Sequence, residues 1–547
     1  MSLMKIAQLM ICSCIPWITL LWYCLLPGTA QANLTHPQQT LLPEDIEHIV
    51  EQLYQENNYS PLWLTEKGIK PQARVIVDVL TNSYQEGLNP EDYLLSVILQ
   101  HWNHYDTKGR AYLDLLLTKG LARYIADIQG GRINPCMLDP ELFAAARHPG
   151  TSTLTLLKYS VGAQDLAGYL KNLLPSHKDY ILLKETLKKY REIAATTPWG
   201  VIPDGATLRP GMIDRRVPLI IKRLHATGDL ASTGFSGQRY DGAAVAGVQH
   251  FQTRFGLKPD GIIGSKTLKA MNRPVEELTR QILINMERWR WLPHHLLGRQ
   301  ILVNIAGYKL RVLEGEQTAL EMPVIVGQIY HKTPIFSDEM QHIVINPYWN
   351  IPLSIATYET LPNQIDDPNY LTDNQIKVFE GWDHNSEPIE PEAIDWASLG
   401  EGIRKYRFRQ EPGPQNALGR FKFIFPNKHS VYLHDTSAHY LFNSNSRAFS
   451  HGCIRVSEPA KLAHYLLKDN LKPWDEAAIA DQLESGERKV VLLNDPVPVH
   501  ILYRTVDVDH ETKEVFFYPD IYGRDAQLLS SFFTSENHSI CLYPPIK

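Results

Sequence analysis

Cysteine is scarce in this chain, with 6 residues in 547. Cys12, Cys14 and Cys24 fall in one N-terminal apolar run. That leaves Cys136, Cys453 and Cys541, an odd number, which in an exported protein points to a free thiol. Cys453 is the natural candidate. Cys136 and Cys541 could pair, but spacing along a chain does not establish proximity. An excess of charge of one sign is also missing. The formal net charge is −6 and no long basic run occurs, so there is no electrostatic case for a nucleic-acid partner. No second cysteine stands near Cys453, which argues against zinc there. His429 and His439 each lie five residues from His434, a spacing that zinc sites use. An odd offset along a strand, however, sends side chains to opposite faces. No metal and no cofactor is expected.

What is present is ordinary for a globular protein: 44% hydrophobic and 21% charged residues. The length suggests three or four domains. Lys5 precedes a mostly apolar run from Ile6 to Leu26, followed by Pro27-Gly28 and Ala30-Gln31-Ala32. Residues 1–32 therefore read as a secretory signal cut after Ala32. The run, at about 20 residues, is also long enough to remain as an uncleaved anchor. Either way the body of the protein is expected across the membrane, which is touched only through this segment.

Residues 33–205 read as helical. Ile46, Ile49, Val50 and Leu53 fall at i, i+3, i+4 and i+7, and helical patterns recur over Ala73–Ser83, Ala111–Asp127 and Ile181–Ala195. Residues 206–275 form a smaller unit of three predicted helices. Val217, Ile220, Ile221 and Leu224 mark the first, and Val245, Val248 and Phe251 the second. Ser265 caps the third. Residues 276–298 read as a linking helix that ends in Arg288-Trp289-Arg290-Trp291, expected to pack against its neighbours. Residues 299–505 are β-rich, with β-branched runs broken by Gly and Pro. Residues 353–415 interrupt them with an acidic stretch: Asp366, Asp367, Asp373, Glu380, Asp383, Glu387, Glu390, Glu392 and Asp395. A loop of that length is usually functional or disordered. Residues 506–547 form a C-terminal segment.

The chemistry gathers at Ser450-His451-Gly452-Cys453-Ile454-Arg455. His434 lies upstream in an alternating stretch that sets Val431 and Leu433 against Tyr432 and His434. A strand-loop-strand return could bring His434 to Cys453. The thiolate is the nucleophilic form of cysteine, and a nearby imidazole can take the thiol proton. Backbone N–H groups at Gly452 and Cys453 are candidates for an oxyanion site. Arg455 suits bidentate binding of a substrate carboxylate, or holding the cysteine loop. Ser450 is a candidate partner for an imidazole, and Tyr432 a candidate oxyanion donor.

This set resembles the signature of the L,D-transpeptidase, or YkuD, catalytic domain. Lys332-Thr333-Pro334 and Asn346-Pro347-Tyr348-Trp349 are similar to that family too. Phe251-Gln252, Gly256-Leu257, Asp260-Gly261 and Gly264–Thr267 resemble a small peptidoglycan-binding domain. Ser60-Pro61-Leu62-Trp63 and the turns at 86–93 and 130–135 resemble the scaffold of the large multidomain Gram-negative type. The Asp520–Asp525 stretch also resembles the family and is expected to pack on the scaffold.

The resemblance implies a multidomain α+β chain: helical scaffold, three-helix wall-binding domain, and β-rich catalytic domain with 353–415 as a capping insertion. It further implies a periplasmic enzyme that acts on peptidoglycan stem peptides and glycan. Cys453 would be the nucleophile, His434 the base and His451 a supporting residue, forming 3→3 cross-links through a thioester, with carbapenems as inhibitors. Alternatives are an L,D-carboxypeptidase or endopeptidase of the same fold, attachment of a lipoprotein to the wall, and a wall-binding protein with an idle cysteine.

Overall fold

A computed structural model of the chain describes residues 45–533, apart from 104–105, 134, 136–150, 197–198, 232–236, 295–297, 384 and 473. The apolar N-terminal run, Cys136 and Cys541 lie outside the described residues, and with them the expected signal and the possible cysteine pair. No helix among the described residues is long and apolar enough to cross a membrane.

The first domain is helical. Asp45 caps Ile46–Glu56 by accepting from the N–H groups of Glu47 and His48. The long helix Thr107–Gly130 starts on an Asp106 cap and stops at Gly131, whose φ of 79° needs a residue without a Cβ. It is the spine of this domain, burying Leu113, Leu116, Leu117, Leu121, Ile125 and Ile128 against the helices around it. One carboxylate on it ties down the Leu62–Leu64 segment. Asp114 accepts from the N–H groups of Leu62, Trp63 and Leu64 at 2.9, 2.7 and 3.0 Å, and from the Tyr54 hydroxyl at 2.5 Å.

The second domain has helices Val217–Thr227, Gly242–Arg254 and Ser265–Met271. Its motif residues serve its own architecture. Gln252 donates to Asp260, the Ile262 carbonyl and Thr267, and accepts from the Gly261 N–H at 2.8 Å. The Tyr240 hydroxyl closes the same loop on the Gly261 carbonyl.

Helix Val275–Arg290 then runs through the interior. Trp289 and Arg290 are fully buried, Arg290 paired with Glu287 at 2.9 Å and Arg288 with Asp525 at 2.6 Å. These pairs explain why the Arg-Trp repeat faces protein and not solvent.

The catalytic-type domain is a nine-stranded sheet, with strands numbered here along the chain: β1 Arg299–Asn304, β2 Lys309–Glu314, β3 Gln317–Gly327, β4 Phe336–Ile345, β5 Phe421–Ile424, β6 Leu433–His434, β7 Ala448–Ser450, β8 Ile454–Val456 and β9 Lys489–Leu502. The order is β7-β3-β8-β6-β5-β4-β9-β1-β2, and β2 also pairs with β3, so eight strands close into a barrel. Closure depends on the length of β3. Its first part, to Pro323, pairs with β2, Val324 and Ile325 pair with β8, and its last residues, Val326 and Gly327, pair with β7. The barrel interior is filled by Ile301, Val303, Val324, Ile343, Phe423, Leu433, Ile454 and Val499 among others.

The insertion is a subdomain with its own core. Strands Trp349–Asn350, Ile376–Glu380, Pro388–Ile389 and Tyr406–Gln410 form a separate sheet. Ile351, Leu371, Val378, Ile403 and Phe408 pack beneath it. The C-terminal segment adds the hairpin Val506–Val508 and Val515–Phe517 and a helix from Arg524 to Phe533. The hairpin bridges the first two domains. Phe517 stacks on Phe255 and meets Tyr190 edge-on, and His510 reaches Asp179 of helix Lys178–Thr196 at 2.7 Å.

Replacing Asp114 by Ala strands three buried N–H groups and should destabilise the scaffold by on the order of 3 kcal/mol, read from its chemical unfolding transition. Asp114→Asn keeps one acceptor oxygen and should lose less. A transition unmoved by Asp114→Ala would show that the carboxylate does not hold this segment.

Candidate active site

The site is built by the parallel pairing of β6 and β8. Leu433 lies opposite Ile454 and His434 opposite Arg455, and the Ile454 N–H donates to the Tyr432 carbonyl at 3.1 Å. Leu433 and Ile454 are fully buried inside the barrel. Strand alternation then puts Tyr432, His434, Cys453 and Arg455 together on the outer face. β5 adds Lys422, the register partner of His434, whose ammonium sits 3.9 Å from the centre of the Tyr432 ring. Parallel strands cannot be joined by a tight turn. The link between His434 and Cys453 is therefore a crossover through a short helix, His439–Asn443, and β7, and not a simple strand-loop-strand return.

Two expected roles change. The Ser450 hydroxyl donates to the Cys453 carbonyl and accepts from the Gly452 N–H at 3.1 Å. It closes the turn that carries Cys453 and does not reach an imidazole. For the same reason the Gly452 N–H, expected as an oxyanion donor, is already engaged within the turn, and the Cys453 N–H is the other candidate. Gly452 has φ of 113°, open to glycine alone at low cost. His429 and His439 go separate ways: His429 packs on Phe336, and His439 pairs with Asp435 at 3.1 Å.

Cys453 is half-buried, and its thiol donates to the Ser430 carbonyl at 3.8 Å. Burial pushes the thiol above the ordinary cysteine range. Hydrogen bonding from Tyr432 and the charges of Lys422 and Arg455 pull it back only in part. Burial likewise keeps Tyr432 a phenol, with the neighbouring cysteine adding to the effect. His434 is buried, and its pKa is pushed down to about 3, first by burial and then by the Arg455 guanidinium. At neutral pH it is an uncharged imidazole able to accept a proton. No direct hydrogen bond joins it to Cys453. Its ring meets that of Tyr432 edge-on at 5.6 Å.

Two polar atoms here are buried without a hydrogen bond of good geometry among the described residues, His434 Nδ1 and Arg455 Nε, although the Asp435 backbone favours the charged form of the His434 ring. A buried, unsatisfied polar atom costs about 1–3 kcal/mol, and this pair sits side by side on the face that carries Cys453.

The capping subdomain reaches the same loop. Glu359, on a π-helical turn spanning Ala356–Thr360, pairs with His451 Nε2 at 2.7 Å. The His331 ring stands 4.9 Å from the His451 ring. Sequence reasoning did not single out Glu359, His331 or Lys422. For Lys422 a signal existed, since it interrupts the run Phe421–Phe425. Glu359 had none, because it is one acid in an acidic stretch.

Parts of the chain are similar to known proteins. Residues 298–499 match the L,D-transpeptidase catalytic domain, 217–271 a peptidoglycan binding domain, and 48–187 a scaffold domain. A Haemophilus influenzae protein, provisionally named an L,D-transpeptidase, is 35% identical over 251 residues. The match covers 46% of this chain and about half, 49%, of that relative. Solved structures of L,D-transpeptidases are also similar. That from Xylanimonas cellulosilytica has 14% identity and a TM-score of 0.16, covering 55% of this chain and 99% of its own. That from Stackebrandtia nassauensis has 12% identity and a TM-score of 0.20, covering 54% and 94%.

A buried, neutral thiol should be alkylated by iodoacetamide at a rate that climbs through and beyond the ordinary cysteine pKa of about 8.5. Followed by peptide mass spectrometry at Cys453, a rate plateau between about pH 5 and 7 would instead reveal a preformed thiolate–imidazolium pair.

Proposed function

We propose that this chain, which carries an L,D-transpeptidase catalytic domain, is a periplasmic peptidoglycan L,D-transpeptidase that forms 3→3 cross-links through a thioester on Cys453. The observation that carries the reading is the β6–β8 register, which sets His434 and Arg455 side by side on the face that carries a free, half-buried cysteine. Packing alone gives no reason to gather a cation, an imidazole and a thiol on one face. A substrate that brings a carboxylate and a carbonyl does.

In this mechanism a carboxylate of the donor stem pairs with Arg455. That neutralises the charge that helps hold His434 down, so the ring's proton affinity rises when substrate is bound. His434 takes the Cys453 proton as sulfur attacks the carbonyl of the third stem residue. Hydrogen bonds at catalytic sites are often long before substrate binds and tighten afterwards. The Cys453 N–H and the Tyr432 hydroxyl face the oxyanion. The intermediate collapses, the peptide C–N bond breaks, and the terminal D-alanine leaves with the proton from His434. The side-chain amine of a second stem then attacks the thioester. Its proton passes to the base, and the Cys453 thiol is restored. Covering of the loop by the capping subdomain through Glu359 and His451 favours amine over water, because a covered acyl-enzyme is shielded from hydrolysis. The three-helix domain holds the enzyme on the wall.

Incubation with a disaccharide tetrapeptide should give a dimer smaller than two substrates by one D-alanine, resolved by mass spectrometry. Cys453→Ala should abolish it, and His434→Ala should cost several orders of magnitude in rate. Tripeptide without dimer would identify a carboxypeptidase on the same machinery. Turnover retained in Cys453→Ala would overturn the mechanism.

A further inference from the structure

The catalytic-domain match ends at residue 499, yet the nucleophile's loop is held from beyond that point. We infer that Tyr522, with Arg524, is a positioning residue for the oxyanion donor at Cys453, so that the functional catalytic unit extends through the C-terminal segment. The inference rests on the reading of Cys453 as the acylated nucleophile.

The connection runs through one threonine. Thr333 is fully buried, and its hydroxyl donates to the Gly452 carbonyl at 2.8 Å while accepting from the Gly327 N–H at 2.9 Å. The Gly452 carbonyl and the Cys453 N–H belong to the same peptide group. That group is planar and trans, so fixing the oxygen aims the N–H the opposite way. The Gly452 N–H is spent on Ser450, which makes the direction of the Cys453 N–H decisive for an oxyanion.

Thr333 is itself set by the C-terminal segment. The Tyr522 hydroxyl accepts from the Thr333 N–H at 3.2 Å and donates to the Gly327 carbonyl. The Arg524 guanidinium donates to the Thr333 carbonyl at 3.2 Å and lies over the rings of Tyr503 and Tyr522. Tyr522 in turn is anchored by its N–H on the Tyr503 hydroxyl at 2.9 Å. Space is tight as well: a Cβ on Gly327 would lie 2.0 Å from the His331 carbonyl oxygen and 3.1 Å from Gly452 Cα. The 327–333 loop and the nucleophile's loop are thus pressed together, and Tyr522 links both ends of the first.

Misplacement of a catalytic group by about 1 Å can cost on the order of 100-fold in rate. In the full-length protein, Tyr522→Phe should slow acylation of Cys453 by a carbapenem roughly 10- to 100-fold. Alkylation of the same thiol by iodoacetamide, which needs no oxyanion donor, should stay within about twofold. Acylation at the wild-type rate would overturn the inference. So would a parallel loss of both reactions, which would indicate general damage. Should Tyr522→Phe fail to fold, Thr333 decides: Thr333→Ser keeps the hydroxyl and should acylate nearly normally, and Thr333→Val should not. Equal rates in those two variants would also overturn it. Absence of acylation in the wild-type protein would instead count against the proposed function itself.

Discussion

The parallel pairing of two short strands, β6 and β8, is the constraint on which the site depends. Two residues of one strand and three of the other suffice, because Leu433 and Ile454 are locked inside the barrel and leave no freedom of register. A shift by one residue would turn His434 and Arg455 inward and Leu433 outward. The closed barrel, the long β3 that seals it and the tail that braces the 327–333 loop all serve to keep that register and the adjoining turn in place.

Burial and charge oppose each other on the outer face, and burial prevails. Lys422 and Arg455 both favour a thiolate at Cys453, yet the thiol stays above the ordinary range, and both cations are themselves pulled down by desolvation. The resting site is therefore a neutral thiol near a neutral imidazole. The inserted subdomain meets this face as well, since its Glu359 pairs with His451, next to the turn that carries Cys453.

Much of this was legible in the sequence. The helical periodicity at Ile46–Leu53 and at Val217–Leu224 became helices, and the β-rich region became a barrel. The fold class was readable because amphipathic spacing is local. Tyr432, His434, Cys453 and Arg455 came together as alternation required. What escaped was non-local. The crossover that makes β6 and β8 parallel depends on β7 finding an edge on β3, more than a hundred residues earlier. The capture of Ser450 by its own turn needs backbone coordinates. The reach of Tyr522 to Thr333 links positions 189 apart, and no pattern along the chain encodes it. Closure of the sheet by β2 and β3 was hidden for the same reason.

The proposed mechanism requires that Cys453 be acylated at a site that His434 serves. Intact mass of the protein after incubation with a carbapenem is the direct measurement, since the β-lactam carbonyl would stand in for that of the proposed donor stem. The account expects a stoichiometric adduct that is absent in Cys453→Ala and strongly slowed in His434→Ala. Folded wild-type protein that takes up no adduct, or an adduct that survives Cys453→Ala, would contradict it.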